Sequence, residues 1–120
     1  MKKTTPEVLY DLIPSQQTMY LMFKYTFSKQ ISQIPTSFVV DKDLDFELLT
    51  KALNIEFQRN DALRLRFIKV DKQLKQYFLP EFRMSKVPYK FFRSEEQQEE
   101  FFSKDAQVPV RFDKGQNFRI

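Results

Sequence analysis

The sequence contains a single glycine, Gly115, among 120 residues, and this restricts how the chain can turn. Glycine is the residue that most easily adopts left-handed backbone conformations, so tight turns here must rely on Asp, Asn, Lys, Ser and Pro. The same count excludes a glycine-rich phosphate-binding loop. Fourteen Phe and five Tyr, within an apolar content of 42%, supply enough nonpolar surface for a core. We therefore expect residues 1–120 to form one structural unit.

Cysteine and histidine are both absent. The lack of Cys excludes disulfides, thiol catalysis and thiolate metal sites, and it favours a cytoplasmic location. The lack of His removes the commonest general base at neutral pH and the commonest metal ligand. Two Ser-Lys neighbours, at Ser85 and Ser103, have nothing further to support a catalytic dyad. The sequence therefore predicts no catalytic residue, no metal and no cofactor in this chain.

Charge and hydropathy exclude further partners. The 20 basic and 16 acidic residues are interspersed, and the net charge of +4 is compatible with an anionic partner without identifying one. No apolar run is long enough to cross a membrane. Glu7 and Asp11 interrupt the stretch in which a signal-peptide core would lie. We therefore predict no membrane partner.

Basic and aromatic residues alternate in the middle of the chain, and a nucleic-acid surface is one interpretation of them. The residues are Arg59, Arg64, Arg66 and Lys69, interleaved with Phe67 and Tyr77. The interpretation favoured here is the solvent-facing or interdomain side of a strand, because no RNP-like or KH-like motif accompanies them. We predict no nucleic-acid partner.

Apolar residues at helical spacing, each series preceded by a capping residue, predict three helices. The predicted extents are residues 15–30, 45–60 and 94–104. Ser15, Asp45 and Ser94 are the predicted caps, the last within a capping box that ends at Gln97. The first helix carries a stripe that we assign to the core: Met19, Met22, Phe23 and Phe27.

The acidic turn before the second helix has the spacing of the first calcium ligands of an EF-hand, at Asp41, Asp43 and Asp45. The sixth position of such a loop requires Gly and is Phe46. The twelfth requires Glu and is Ala52. We therefore interpret these residues as a turn and a helix cap.

Extended segments are predicted at residues 7–14, 34–40, 63–68, 74–79, 87–92 and 108–112. From Leu63 the apolar period is two, with Leu63, Leu65 and Phe67 on the predicted buried face. Residues 70–73 form a turn that allows the next segment to pair back as a hairpin. The mixture predicts an α/β or α+β fold with helices packed on a mixed sheet.

The segments at residues 12–21, 34–53, 59–67 and 112–120 carry a common pattern. In that order they resemble the opening of a condensation domain, the amide-forming unit of nonribosomal peptide synthetases. Residues 12–21, LIPSQQTMYL, are similar to the family's first core motif, L-S-x-A-Q-x-R-[LM]-W-x-L. Gln16, Met19 and Leu21 match that motif, and Tyr20 stands in for its Trp. A strand from Ile34, followed by a polar turn and Leu44-Asp45 opening a helix, is similar to the family's second segment.

Residues 59–67, RNDALRLRF, resemble the second core motif, R-H-E-x-L-R-T-x-F. Arg59, Leu63, Arg64 and Phe67 match it, whereas Asn60 replaces the histidine. This segment is the most specific of the four.

Residues 112–120, FDKGQNFRI, are similar to the stretch F-D-L-x-x-G-P-L-x-R-[VI]. Asp113 and Gly115 carry this resemblance, and Gln116 and Asn117 depart from the usual Pro-Leu. In the family the catalytic motif H-H-x-x-x-D-G follows shortly after, so we expect the chain to be a partial domain without that motif and without the C-terminal lobe.

The resemblance implies a fold like chloramphenicol acetyltransferase, with two lobes and a tunnel that receives phosphopantetheine arms of carrier proteins from opposite sides. This chain would be an incomplete N-terminal lobe that builds one wall of the tunnel, inactive alone and holding no cofactor of its own. Carrier proteins are then the expected partners. An exposed lobe surface would also favour self-association. The four segments do not distinguish a condensation domain from related acyltransferases that share the histidine motif.

A second hypothesis is a stand-alone, noncatalytic protein that binds a carrier protein or another acidic partner through a basic face. A downstream reading frame that encodes H-H-x-x-x-D-G would favour the fragment. A natural stop followed by unrelated genes would favour the second hypothesis.

Arg59 and Arg64 flank the predicted junction between the second helix and the following strand. The resemblance implies that arginines at these positions support the active site, where one pairs with the Asp of the histidine motif. Without that Asp, the arginine is expected to face solvent or a substitute acid, either Asp61, Asp113 or a residue of another copy. The alternative is that both arginines lie on the helix surface.

Overall fold

The computed structural model describes Pro6 and residues 8–120. The elements in chain order are β1 Tyr10–Asp11, α1 Pro14–Tyr25, a 3-10 helix Lys29–Ser32, α2 Phe46–Arg59, α3 Asp61–Arg64, β2 Leu65–Val70, β3 Gln73–Phe78 and α4 Glu95–Ala106. The described strands form one sheet in the order β1-β3-β2, antiparallel at both pairings. The predicted α+β class is confirmed, with a small, incomplete sheet.

The β2–β3 hairpin forms as predicted, with Leu65 opposite Phe78 and Val70 opposite Gln73. Its two turn residues, Asp71 and Lys72, both have positive φ angles, 48° and 66°. Such angles suit two-residue hairpin turns, and Gly would normally supply them. The strand begins at Leu65, two residues later than predicted, because Asp61–Arg64 form the short helix α3.

Helices α2 and α4 confirm their predicted caps. The Oδ1 atom of Asp45 accepts hydrogen bonds from the backbone N–H groups of Glu47 (2.9 Å) and Leu48 (3.0 Å). Ser94 Oγ accepts from the Gln97 N–H at 3.3 Å. Each bond satisfies an N–H that has no partner within its helix.

Helix α1 departs from the prediction at both ends. It begins at Pro14 with Ile13 as N-cap, and Gln16 Oε1 accepts from the Ile13 N–H at 2.9 Å. Proline suits the first helical position because its fixed φ matches the helix and no N–H is lost there. The helix ends at Tyr25 and not at Gln30. Beyond this end, Lys29 Nζ folds back and donates to the Phe23 carbonyl at 2.6 Å.

Three predicted strands are absent from the sheet of the described residues, at 34–40, 87–92 and 108–112. Residues 34–40 form no helix or strand and are exposed; Phe38 keeps 88% of its surface accessible. The predicted strand at 7–14 is limited to Tyr10–Asp11, and its first residue lies outside the described part of the chain.

Residues 80–93, which we name the strap, run antiparallel along helix α2 between β3 and α4. Four contacts pair the strap with successive turns of that helix: Gln58 Nε2 donates to the Phe82 carbonyl (2.9 Å), Asn54 exchanges two bonds with the Met84 backbone (2.9 and 2.8 Å), Val87 N–H donates to Thr50 Oγ1 (3.0 Å), and Tyr89 stacks on Phe46 (4.6 Å). Helix side chains thus satisfy backbone groups that a neighbouring strand would otherwise pair.

The core contains two aromatic clusters. In one, Phe23 of α1 and Phe67 of β2 both contact Phe112. In the other, Phe57 of α2 packs with Phe82 and Phe118. The predicted core stripe on α1 is wrong except for Phe23: Met19 and Met22 are partly exposed and Phe27 is fully so. The first helix is too short to bring Phe27 back onto the core.

Candidate functional site

A cleft of about 730 Å³ lies where the chain after α1, helix α4 and the C-terminal segment meet. Its lining comes from residues 33–37, from Phe102, Asp105 and Ala106 of α4, and from Val110, Phe112 and residues 117–120. Nonpolar and polar groups are therefore mixed along its walls.

Gln33 holds the first wall of the cleft against the residues after α4. Its Nε2 donates to the carbonyls of Ala106 (2.6 Å) and Val108 (3.2 Å), and its Oε1 accepts from the Val110 N–H (2.9 Å). One amide side chain thus fixes the start of the 34–40 segment, although sequence reasoning assigned Gln33 no role.

Asn117 connects the cleft to the junction between α2 and β2. Its Nδ2 donates to the Ala62 carbonyl of α3 at 3.4 Å, while its Oδ1 is buried and has no hydrogen-bond partner among the described residues. The next residue, Phe118, packs on Phe57. The third and fourth motif segments, separated by about 50 residues of sequence, therefore meet at this point.

Arg64 lies at the centre of the junction, with only 12% of its side chain exposed. Its Nε donates to the Leu79 carbonyl (3.0 Å), and its Nη1 donates to the carbonyls of Phe57 (2.8 Å) and Gln58 (2.7 Å). Its Nη2 pairs with the Asp61 carboxylate. One guanidinium thereby joins the end of α2, the start of α3 and the end of β3, and its acid is one of the expected substitutes.

Arg59 has a different environment. Its side chain is 73% exposed, and its nearest carboxylate is Glu56, one helical turn back, at 3.9 Å. Such exposed pairs contribute little to stability. The two arginines that the motif placed together thus divide into one buried connector and one surface residue.

Arg66 is buried as well, although the strand period predicted it on the wet face. It donates to the carbonyls of Leu63 (3.1 Å) and Leu65 (2.7 Å), and its guanidinium lies 5.0 Å from the centre of the Phe82 ring. Burial lowers its pKa below the ordinary arginine value. Arg64 and Arg66 are therefore both turned inward, and neither lies on the exposed face of the strand.

The C-terminal segment is fixed by a bidentate ion pair. Arg111 Nε and Nη2 donate to Asp113 Oδ1 (3.0 Å) and Oδ2 (2.8 Å). These bonds hold the pKa of the Asp113 carboxyl below its usual value and raise that of Arg111. The φ angle of Gly115 lies outside the left-handed region that favours glycine. A Cβ at this position would contact nothing within 4 Å, so the local backbone does not require glycine.

A family model for the condensation domain matches residues 7–120. The chain belongs to the condensation-domain family. No curated protein and no solved structure gives a significant match.

In this condensation-domain chain, the first core motif attaches helix α1 to the sheet. Gln16 Nε2 donates to Gln76 Oε1 (2.8 Å), and the Nε2 of the buried Gln76 donates to the Asp11 carbonyl (2.8 Å). Met19 and Tyr20 follow on the same helix, the first exposed and the second half-buried. The matching glutamine thus has a clear positioning contact within this part of the domain.

Among the remaining motif residues of the condensation-domain chain, Leu63 and Phe67 are half-buried. Phe67 meets Phe112 edge to face at 5.4 Å, within the first aromatic cluster. Asp45 caps α2 by accepting from the backbone N–H groups of Glu47 and Leu48. In this chain, Phe67 and Asp45 therefore make packing and capping contacts.

Within the described part of the chain, no three His, Cys, Asp or Glu side chains come close enough to hold a metal ion. None of the helices formed by these residues combines the length and the hydropathy that are needed to span a bilayer. Two features escaped sequence reasoning: the inward turn of Arg66 and the Gln33 clamp. The sequence carries a signal for the first feature, because the arginine belongs to a predicted strand that is followed by an aromatic-rich segment. It carries no signal for the second.

Proposed function

We propose that this chain forms the N-terminal wall of a condensation domain that joins carrier-bound acyl or peptidyl groups in nonribosomal peptide synthesis, as in the making of peptide antibiotics. The observation that carries the proposal is the convergence of the second-core-motif segment and the C-terminal segment at Asn117 and Ala62, beside the cleft. The family match over residues 7–120 supports it.

Under this proposal the chain contributes shape and positioning, and the reacting groups come from elsewhere. Arg64 stabilises the junction through three backbone carbonyls, at Phe57, Gln58 and Leu79, and through Asp61. A second, inserted carboxylate would therefore compete with Asp61 for the same guanidinium. Substrates would arrive on the phosphopantetheine arm of carrier proteins. The chain itself holds no cofactor under this proposal.

The isolated chain is expected to show no amide- or ester-forming activity, because it has neither His nor Cys to act as base or nucleophile. The test fuses the chain in frame to a condensation-domain remainder that carries H-H-x-x-x-D-G. Mass spectrometry of thioester-loaded donor and acceptor carriers would then detect the joined product. We expect product only from the fusion, and none when its second motif histidine is replaced.

Turnover by the purified chain alone, persisting in a preparation from a host that lacks condensation domains, would contradict inactivity. A fusion that folds and binds carriers but forms no product would contradict the proposed function.

The second candidate is a noncatalytic protein that binds a carrier protein or another acidic partner. The observation that favours it is the group of exposed strap cations, Arg83, Lys86 and Lys90, that pair with no carboxylate of the described residues. Carrier binding by the isolated chain, together with an inactive fusion, would select this candidate over the first.

A further inference from the structure

The strap carries a row of cations that have no counter-charge within the described part of the chain. Arg83, Lys86 and Lys90 are all exposed, and no carboxylate of the described residues lies within 4.0 Å of any of them. The strap residues between them contact helix α2 at Met84, Val87 and Tyr89. Lys86 Nζ lies over the Tyr89 ring and Lys90 Nζ lies over Phe92 and Phe101. These contacts fix the segment that carries the three cations.

Three glutamates of helix α4 lie away from the face that adjoins the strap, and the other two acids of the helix, Glu100 and Asp105, are paired with Lys104 and Arg119. Lys90 Nζ sits 4.6 Å from the ring centre of Phe101, so this residue marks the face of α4 that adjoins the strap. At about 100° per residue, Glu95, Glu96 and Glu99 lie about 120° to 160° around the helix from Phe101. The strap itself contains one acid, Glu81, which precedes Arg83 in the sequence. The positive potential along the row is therefore not cancelled by these glutamates.

The aromatic rings of this region decide which anionic partner fits. Single-stranded nucleic acid binding needs ring faces that are free to stack on bases. Here Phe46 covers one face of Tyr89 at 4.6 Å and Lys86 lies 4.8 Å from its ring centre, while Lys90 lies over Phe92 and Phe101. Phe91 is 83% exposed but is a single ring. A row of fixed cations with one apolar anchor suits an acidic protein surface better than a base-stacking ligand.

We propose that the strap is a docking surface for the acidic face of a carrier protein, with Arg83, Lys86 and Lys90 as the charge row and Phe91 as the apolar anchor. This inference rests on the proposed function, which requires the domain to receive carrier proteins. It adds a location and a recognition chemistry to that function.

The test measures binding of the 120-residue chain to a fluorescently labelled, phosphopantetheine-loaded carrier domain with an acidic helix surface, at low and at physiological salt. The charge-reversal variant combines R83E, K86E and K90E. A matched control reverses three exposed lysines elsewhere, K51E, K69E and K72E, so that both variants carry the same net charge. Thermal unfolding of each variant establishes that it folds.

We expect the strap variant to weaken binding about tenfold or more, chiefly through the association rate, and the control less than about threefold. F91S should weaken binding at both salt concentrations, whereas the charge-row effect should shrink as salt rises. Equal weakening by both triple variants, or no carrier binding by the unmodified chain, would overturn the proposal. So would tighter binding of a labelled oligothymidine that competes with the carrier.

Failure of this inference is distinguishable from failure of the proposed function. If the full fusion joins carrier-bound substrates and the strap variant of that fusion keeps the same KM for the carriers, docking occurs elsewhere and the proposed function stands. If the fusion is inactive although carriers bind at the strap, the proposed function fails and the docking surface stands.

Discussion

Helix α2 with its strap and the segment 34–40 both contain patterned apolar residues, but they differ in how far their phenylalanines are buried. In α2, Phe57 keeps only 1% of its surface exposed, because Phe82 of the strap and Phe118 enclose it. In 34–40, Phe38 is 88% exposed although the segment has a clear strand pattern. A hydrophobic pattern thus specifies what a segment can bury, and the partner decides whether it does so.

The largest expected effect tests this contrast directly. Phe57→Ala should lower the free energy of unfolding by about 3–5 kcal/mol, because it leaves a cavity between two aromatic rings. Phe38→Ala should change it by less than about 0.5 kcal/mol, as expected for an exposed site. Urea unfolding followed by far-UV circular dichroism measures both, and comparable losses would show that 34–40 is buried in solution.

A second, smaller contrast separates the two motif arginines. Arg64→Ala should lower the free energy of unfolding by about 2–4 kcal/mol, because it leaves three backbone carbonyls and Asp61 without their donor. Arg59→Ala should cost less than about 0.5 kcal/mol. This expectation replaces the idea that Arg64 of the isolated chain behaves as a surface charge.

The same urea experiment checks the arginine pair, and Arg64→Lys is the informative control. Lysine keeps the charge but cannot reach the three carbonyls and Asp61 at once, because it lacks the planar fork of arginine, so it should recover only a small part of the loss. Full recovery by lysine would mean that charge alone, and not the hydrogen-bond geometry, stabilises the junction.

The predictable parts of the fold are those with a local cause. Asp45 and Ser94 cap helices because their own oxygens reach the next N–H groups, and the 70–73 turn needs only its two neighbouring strands. The α+β class and the family follow from such local patterns and from the motif segments.

The parts that could not be predicted depend on contacts far apart in sequence. Residues 87–92 have a strand pattern, yet the Val87 N–H donates to Thr50 Oγ1 of α2 and not to a neighbouring strand. Arg66 turns inward because Phe82 offers it a ring face. At the candidate site, the motif located Arg64, but only the fold shows that Arg59 is separated from it and that Asn117 meets Ala62.

A pH titration tests the Arg111–Asp113 ion pair of the C-terminal segment. This segment joins the two compared regions, because its Phe118 contacts Phe57 and also lines the cleft beside residues 34–37. The folded pKa of Asp113 is lowered by Arg111, so its contribution is present above the ordinary Asp pKa of about 3.9 and is lost as pH falls through the lowered value. We expect about 0.5–1 kcal/mol between wild type and Asp113→Asn at pH 6, because the partly exposed Arg111 is screened by solvent.

That difference should shrink below about pH 4, and urea unfolding at several pH values measures it. Asp43→Asn serves as a control for the loss of one exposed carboxylate. A difference between wild type and Asp113→Asn that grows as the solution is acidified would contradict the assigned ion pair.

The smallest effect on unfolding, and the last prediction, concerns what exposed apolar residues do when they do not stabilise the fold. Residues 34–40 expose Phe38 and Val39 and pair with no strand of the described chain, so they present apolar surface that can recruit another chain. We expect the purified protein to form dimers or larger species, and the double variant F38S/V39T to shift it towards monomer while unfolding within about 0.5 kcal/mol of wild type. Sedimentation velocity over a concentration series measures the shift. Tyr25→Ser, at an exposed aromatic on α1, is the matched control and should leave association unchanged. A wild type that remains a monodisperse monomer at high concentration, or a control that dissociates as fully as the double variant, would show that 34–40 is not the associating surface.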